Sequence, residues 1–238
     1  STEEASGAEK AELLIVIPAY NEAENIERVV NHLTANFPQY DYVVVNDGSR
    51  DETAAICQRN GYNLLNLPVN LGLAGGFQAG LKYADKYGYQ YAVQLDGDGQ
   101  HRPEYLESMI KKMEEGYDIV IGSRFVGEKK PFTMRMLGSN LIEMAIRFTT
   151  GVNIKDPTSG MRMFSKRMIH EFASGLNYGP EPDTVSYLIR QGARVAEVPV
   201  IMDERILGVS YLTPVNAMRY MLKMLISILL IQNFRKRR

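Results

Sequence analysis

Apolar residues along this chain follow two rhythms. Mainly apolar runs of strand length, Leu13–Pro18, Tyr42–Val45, Asn63–Leu67, Tyr91–Leu95 and Ile119–Ile121, alternate with stretches where apolar residues recur every three or four positions. The first rhythm suits strands buried on both faces, the second helices with one buried face. Helices are expected over Ile26–Asn36, Asp51–Asn60 and Gly75–Tyr87, the last with Phe77, Leu81 and Ala84 facing inward. Another should begin at Pro103, a residue suited to the first helical position, and bury Leu106, Ile110 and Met113. Ser49 and Glu52 have the spacing of a capping box, which starts the second helix directly after its strand. Such alternation predicts an α/β fold, a mainly parallel sheet flanked by helices on both sides. Beyond Ser123 the rhythm loosens. It still predicts a helix over Met134–Thr150, a turn and strand within Asp156–Phe164, a helix over Asp183–Arg190 and a strand over Val195–Val200.

The last apolar stretch differs from the others. From Asn216 to Phe234, Asn216, Arg219, Lys223 and Ser227 fall on one stripe, and the remaining faces are almost wholly apolar. Arg219 and Lys223 interrupt a membrane-crossing run, which needs about 20 apolar residues. A broad apolar face ending in Arg235–Arg238 fits an amphipathic helix lying in a membrane surface, its basic end near anionic lipid. Burial in a core or in a homo-oligomer is the competing reading. The chain thus divides into a flexible tail (1–10), one globular domain (11–213) and the basic-ended C-terminal helix (214–238).

Composition narrows the classes. A length of 238 residues supports one substantial core. A hydrophobic content of 45% excludes wholesale disorder, and a net charge of -1 argues against nucleic acid as a partner. The single cysteine, Cys57, cannot form an internal disulfide, which is compatible with a reducing, cytoplasmic setting. The first ten residues contain no apolar core of a secretion signal.

Candidate chemistry gathers just after the strands, where ligands bind in open parallel sheets. Tyr91–Leu95 runs into Asp96 and Asp98, with Gln100 and His101 following. Two close carboxylates repel one another, a cost relieved by a divalent cation between them. Oxygen donors at Asp96, Asp98 and Gln100 suit Mg²⁺ or Mn²⁺ as metal ligands, an ion that completes its shell with substrate phosphates. A solvated Asp-Gly turn is the plainer reading of the same residues. Pro18, Tyr20, Glu22 and Asp47 follow the first two strands, so three loops converge. Gly72, Gly75 and Gly76 lack the spacing of a dinucleotide-binding turn.

These segments, Ile15–Glu22, Val45–Thr53, Asp96–His101, Ile121–Arg124 and Asp156–Arg162, occur in an order that resembles the family 2 inverting glycosyltransferases of the GT-A fold. Asp96–His101 is most similar to the dolichyl-phosphate mannose synthase and polyprenyl-phosphate sugar synthase branch. The resemblance implies a metal-dependent hexosyltransferase using a nucleotide sugar, with UDP or GDP as carrier. Its acceptor would be polyprenyl phosphate at the cytoplasmic face of a membrane. It further implies that Pro18, Tyr20, Glu22, Asp47, Asp96 and Arg205 bind the nucleotide sugar. Asp98, Arg124 and Arg162 would serve catalysis, the arginines by clamping phosphate. Asn46 and Tyr211 depart from the pattern, standing where relatives often have an aspartate and a lysine.

A hydroxyl acceptor on a lipid-linked or cell-surface polysaccharide is the alternative. It would need a general base, for which Asp183 and Glu181 are the candidates; a phosphate acceptor needs none. His101 is read as bracing the metal loop. A non-catalytic nucleotide-sugar binder would keep Asp47 without needing paired carboxylates. A nucleotidyltransferase would carry a glycine-rich basic loop where Pro18–Glu22 stands.

Overall fold

The computed structural model describes residues 11–175, 179–203 and 213–235. Its centre is β1 (Leu13–Ala19), all seven residues of which are buried. Alternate side chains leave a strand on opposite faces. Leu14 and Val16 therefore enter one core and Leu13, Ile15 and Ile17 the other. Neither face of this strand meets water, which is why its sequence is an unbroken apolar run.

Around it lie β2 (Asp41–Asp47), β3 (Leu64–Leu67), β4 (Tyr91–Gln94), β5 (Ile119–Ser123), β6 (Arg162–Ser165) and β7 (Val195–Pro199). The sheet order is β3-β2-β1-β4-β6-β5-β7. All pairings are parallel except those of β6, which runs antiparallel to both β4 and β5. The reversal matters for the site. Arg162, the first residue of β6, pairs with Ile121 near the end of β5, and Met163 pairs with Val93 near the end of β4. The loop before β6 thus arrives at the edge where β4 and β5 finish.

Three helices cover one face: α1 (Ile26–Asn36), α2 (Thr53–Arg59) and α4 (Leu106–Glu114). On α4 the inward residues are Leu106, Met109 and Met113; Ile110 is only partly buried, so the inward stripe is rotated from the one expected. The other face carries α3 (Gly72–Tyr87), α5 (Met134–Thr150), α6 (Lys166–His170), α7 (Pro182–Arg190) and α8 (Pro214–Ile226). Helix α3 buries Phe77, Leu81 and Ala84 as its spacing predicted. It lies so close to β1 that a Cβ on Gly80 would stand 2.2 Å from Val16 Cγ1, so only glycine fits there.

The capping box at Ser49 and Glu52 does not form. The Ser49 hydroxyl instead accepts from the Asn21 N–H at 3.0 Å, and Asp51 accepts from the Thr53 N–H at 3.0 Å. Tertiary pairing with the β1–α1 loop outcompetes the local bond.

The C-terminal helix docks on the domain. Met221, Met224 and Ile228 are buried in the core with residues of α5 and α7, and a short wide turn (Ser227–Ile231) continues the helix to Phe234. Met218, Leu222, Leu229 and Leu230 remain exposed, as do Leu137, Leu141, Met144 and Phe148 of α5. By length and composition Pro214–Ile231 is long and apolar enough to cross a membrane, despite Arg219 and Lys223.

Candidate active site

The loop after β4 is held by its own hydrogen bonds. The Gly97 N–H donates to the Pro18 carbonyl at 3.3 Å, and Gly97 packs against the Glu22 side chain. The Gly99 N–H donates to the Asp96 carbonyl at 3.2 Å. Asp98 is buried, its Oδ1 accepting from the Gln100 N–H at 3.0 Å. Asp96 is more open, and its Oδ1 accepts from Gln94 Nε2 at 2.7 Å. The Asp96 N–H donates to His101 Nδ1 at 3.1 Å, so that nitrogen carries no proton and the neutral ring bears its hydrogen on Nε2. His101 Nε2 faces Asp96 Oδ2 at 3.6 Å, which makes the buried histidine a brace for this loop, as expected.

Of the residues expected at the site, the structure gathers Asp96, Gln100, Arg124 and Arg162 around one cleft of about 530 Å³. Asp98 lies in the same loop with Arg28 behind it, whose guanidinium donates to the Asp98 carbonyl. Pro18 and Glu22 sit beneath the loop as supports. The Glu22 carboxylate accepts from Asn25 and its backbone carbonyl opens α1. Tyr20 is half-buried next to Asn21, which takes a left-handed backbone with φ 53°. The Asp47 carboxylate accepts from the Leu71 N–H at 2.6 Å, fixing the start of α3 over the end of β2. Burial raises the Asp47 carboxyl above its usual range, against the pull of the Leu71 and Gly72 N–H groups. Arg205 lies outside the described residues.

The two arginines are held differently. Arg124 grips Asp156 through Nε and Nη2, both at 2.8 Å, and its N–H donates to the same carboxylate at 3.0 Å. Asp156 is fully buried and is itself located by Glu197, which accepts from the Asp156 and Lys155 N–H groups. Arg162 has no carboxylate hydrogen-bonded to it among the described residues. Its guanidinium donates to the carbonyls of Pro180 and, at 3.1 Å, Pro157, while its buried Nε has no acceptor. The buried Thr158 hydroxyl, on the same cleft, also lacks a partner. Burial lowers the Arg162 guanidinium from its usual value, and burial together with the Arg124 charge does the same to Arg135. The cleft is therefore short of negative charge, and two of its buried polar groups are unsatisfied.

Asp183 does not join the cleft. It is buried with Oδ2 accepting from Ser227 Oγ at 2.6 Å and Gln232 Nε2 at 3.5 Å. This carboxylate ties the start of α7 to the C-terminal helix. Three contributors were missed in the sequence. Thr158 had a signal, since it stands inside Asp156–Arg162. Lys223 lay on the polar stripe of the last helix, and Tyr220 was hidden among its apolar residues, yet both line the cleft.

An open sheet of this order, with an acidic loop facing arginines across the strand ends, has the GT-A architecture of sugar-transferring enzymes. The chain belongs to glycosyl transferase family 2, whose profile matches residues 14–172, and is a glycosyltransferase. It is 31% identical over 223 residues to polyprenol monophosphomannose synthase of Mycolicibacterium smegmatis, covering 88% of this chain and 84% of that one. Identity to undecaprenyl-phosphate mannosyltransferase of Micrococcus luteus is 30% over 210 residues, 83% and 86% of the two chains. Among solved structures, glucosyl-3-phosphoglycerate synthase from Mycobacterium tuberculosis with Mn²⁺, UDP-glucose and phosphoglyceric acid superposes with a TM-score of 0.71. That match covers 94% of this chain and 80% of the other at 17% identity, a likeness of fold.

Proposed function

We propose that this enzyme transfers a hexosyl unit, with inversion, from a UDP- or GDP-sugar to a polyprenyl phosphate, working peripherally on the cytoplasmic face of a membrane. The observation that carries this reading is the unsatisfied cationic seat at Arg162 and Thr158. A phosphate there supplies the acceptor that Arg162 Nε and the Thr158 hydroxyl lack. An apolar groove of about 600 Å³ between α5 and α8 joins the cleft at Arg135, Ala217 and Met221, a fit for an isoprenoid chain attached to that phosphate. The relatives whose names specify polyprenyl-phosphate sugar synthesis support the same acceptor class.

The loop fits a divalent ion. Asp96, Asp98 and Gln100 offer hard oxygen donors, and no cluster of three His, Cys, Asp or Glu residues able to hold a metal occurs among the described residues. Two carboxylates suit Mg²⁺ or Mn²⁺, which takes its remaining ligands from phosphates and water. When bound, such an ion neutralises the diphosphate leaving group. Around it the chain's own groups do the positioning. Gln94 orients the Asp96 carboxylate, His101 holds the Asp96 backbone N–H, and Asp156 holds Arg124 with its outer edge at the cleft. Arg162 holds the acceptor phosphate, already an anion, so no side chain need remove a proton. The exposed apolar residues of α5 and α8 rest on the lipid.

The test is transfer by the purified protein with Mn²⁺, UDP- and GDP-hexoses, and polyprenyl phosphate in detergent. An organic-soluble hexosyl-phosphate lipid of inverted anomeric configuration is expected. Product formation only on a lipid-linked sugar would transfer the case to the hydroxyl acceptor.

A further inference from the structure

We propose that Glu181 selects the acceptor: its carboxyl group lines the cleft beside the phosphate seat at Arg162, so the cleft takes the phosphate with one proton shared between the two groups. This rests on the reading of polyprenyl phosphate as acceptor.

Glu181 occupies the position before α7 where a side chain commonly accepts from the first helical N–H groups, and it makes no such bond. Its carboxyl group has no hydrogen-bond or ion partner among the described residues. It is placed between two spaces. It lines the cleft with Arg162 and also a second cavity of about 540 Å³ under α8. The carbonyl of Pro180, one residue earlier, already accepts from Arg162, so this short segment frames the seat. Asp183, the other acid of the same turn, is consumed by Ser227 and Gln232. One acidic group is left on the lining of the site without a hydrogen bond from its carboxyl among the described residues.

The charges around it set its state. Arg162 faces it from β6, Lys223 and Tyr220 from α8, and Asp183 from its own helix, with Arg219 on the rim of the second cavity. Burial first, and then Asp183, raise the Glu181 carboxyl above its usual range, while Lys223 and Arg162 pull it back without cancelling the rise. An ionised carboxylate would repel an arriving phosphate in a partly desolvated cleft. The protonated group offers an O–H to a phosphate oxygen and removes that repulsion. A phosphate monoester takes up its second proton near pH 6, so the pair shares one proton most readily in mildly acidic to neutral solution.

The experiment compares KM for polyprenyl phosphate against pH in the wild type, Glu181→Gln and Glu181→Ala, each as the full chain in detergent. Glutamine keeps a permanent N–H donor and never carries charge, and the change breaks no hydrogen bond among the described residues. Between about pH 7 and about pH 8 the wild-type KM should climb roughly tenfold more than that of Glu181→Gln, one pH unit being a factor of ten in protonation. Glu181→Ala should share the flatter profile at a higher KM, having lost the donor. KM for the nucleotide sugar should follow none of these changes. Parallel profiles in wild type and Glu181→Gln overturn the inference and leave the acceptor reading standing. Collapse of kcat in Glu181→Gln with unchanged donor binding also overturns it, marking Glu181 as the base for a hydroxyl acceptor. Failure of the wild type to glycosylate polyprenyl phosphate at every pH overturns the acceptor reading and the inference together.

Discussion

Arg124 and Asp156 form a two-pronged ion pair, Nε to Oδ2 and Nη2 to Oδ1 at 2.8 Å each, with the carboxylate wholly out of water. A guanidinium so held cannot swing away to reach a ligand; it presents its remaining edge at a fixed angle. Arg124→Ala leaves a buried carboxylate without its cation, a loss that typically costs about 3–5 kcal/mol. The variant should therefore melt early as well as lose transfer. Arg124→Lys keeps the charge but not the fork, and should recover stability more than turnover. Denaturant unfolding alongside kcat measures both; equal recovery of the two would count against a geometric role.

Arg162 should behave in the opposite sense. Its buried charge is unpaired by any hydrogen-bonded carboxylate among the described residues and its Nε lacks a partner, so the free protein carries a cost that a bound phosphate relieves. Arg162→Met should cost little stability, or gain some, while acceptor-dependent transfer falls by about 100-fold or more, the scale of a lost charge-stabilising donor. Thermal melts with and without inorganic phosphate provide the check: stabilisation by phosphate should vanish in the variant.

Asp98→Asn tests the acidic loop. The shape and the bond from the Gln100 N–H survive, so the melting temperature without ligand should hold. The added stability conferred by nucleotide plus Mn²⁺ should disappear, because a ligand stabilises only as far as it binds the native state. Full turnover of the wild type in metal-free buffer would remove the argument for paired carboxylates.

Asp183→Ala strips acceptors from the Ser227 hydroxyl and the Gln232 amide, both buried. Such unsatisfied groups cost about 1–3 kcal/mol each. Stability should fall, and any drop in activity should track the fraction folded. A specific loss of kcat in fully folded Asp183→Asn would restore it as a base.

The exposed apolar face of the C-terminal helix can be separated from its buried one. Leu222→Glu and Leu230→Glu alter exposed positions and should leave the melting temperature alone while reducing binding to anionic liposomes. Met224→Glu would place a charge in the core and should unfold the protein. Undiminished liposome binding by the first pair would assign this face to another role. Cutting after Thr213 is the poorer experiment, since it removes Met221, Met224 and Ile228 from the core.

Much of this could be read from the chain alone. Leu13–Ala19 is a strand because an unbroken apolar run is buried on both faces, Tyr91–Gln94 follows the same rule but for Gln94, and the helix over 72–87 follows from Phe77, Leu81 and Ala84 at helical spacing. Asp96 and Gln100 were legible as a site because their proximity is set by five residues of chain. Ser49 and Glu52 misled, since a local bond that looks available in sequence lost to Asn21, 28 residues away in the chain.

The sequence by itself determined the alternation of strand and helix, the acidic loop and the arginine motifs, because each rests on spacing within a few residues. Only the tertiary structure decided which of those groups act together. The antiparallel β6 swings Arg162 to the ends of β4 and β5, and the docking of the C-terminal helix engages Asp183 while leaving Glu181 on the cleft lining. Asp183 and Glu181 are alike in sequence, acids two residues apart at one helix start. They differ because burial and hydrogen-bond partners come from residues more than forty positions away, and no local pattern carries that information.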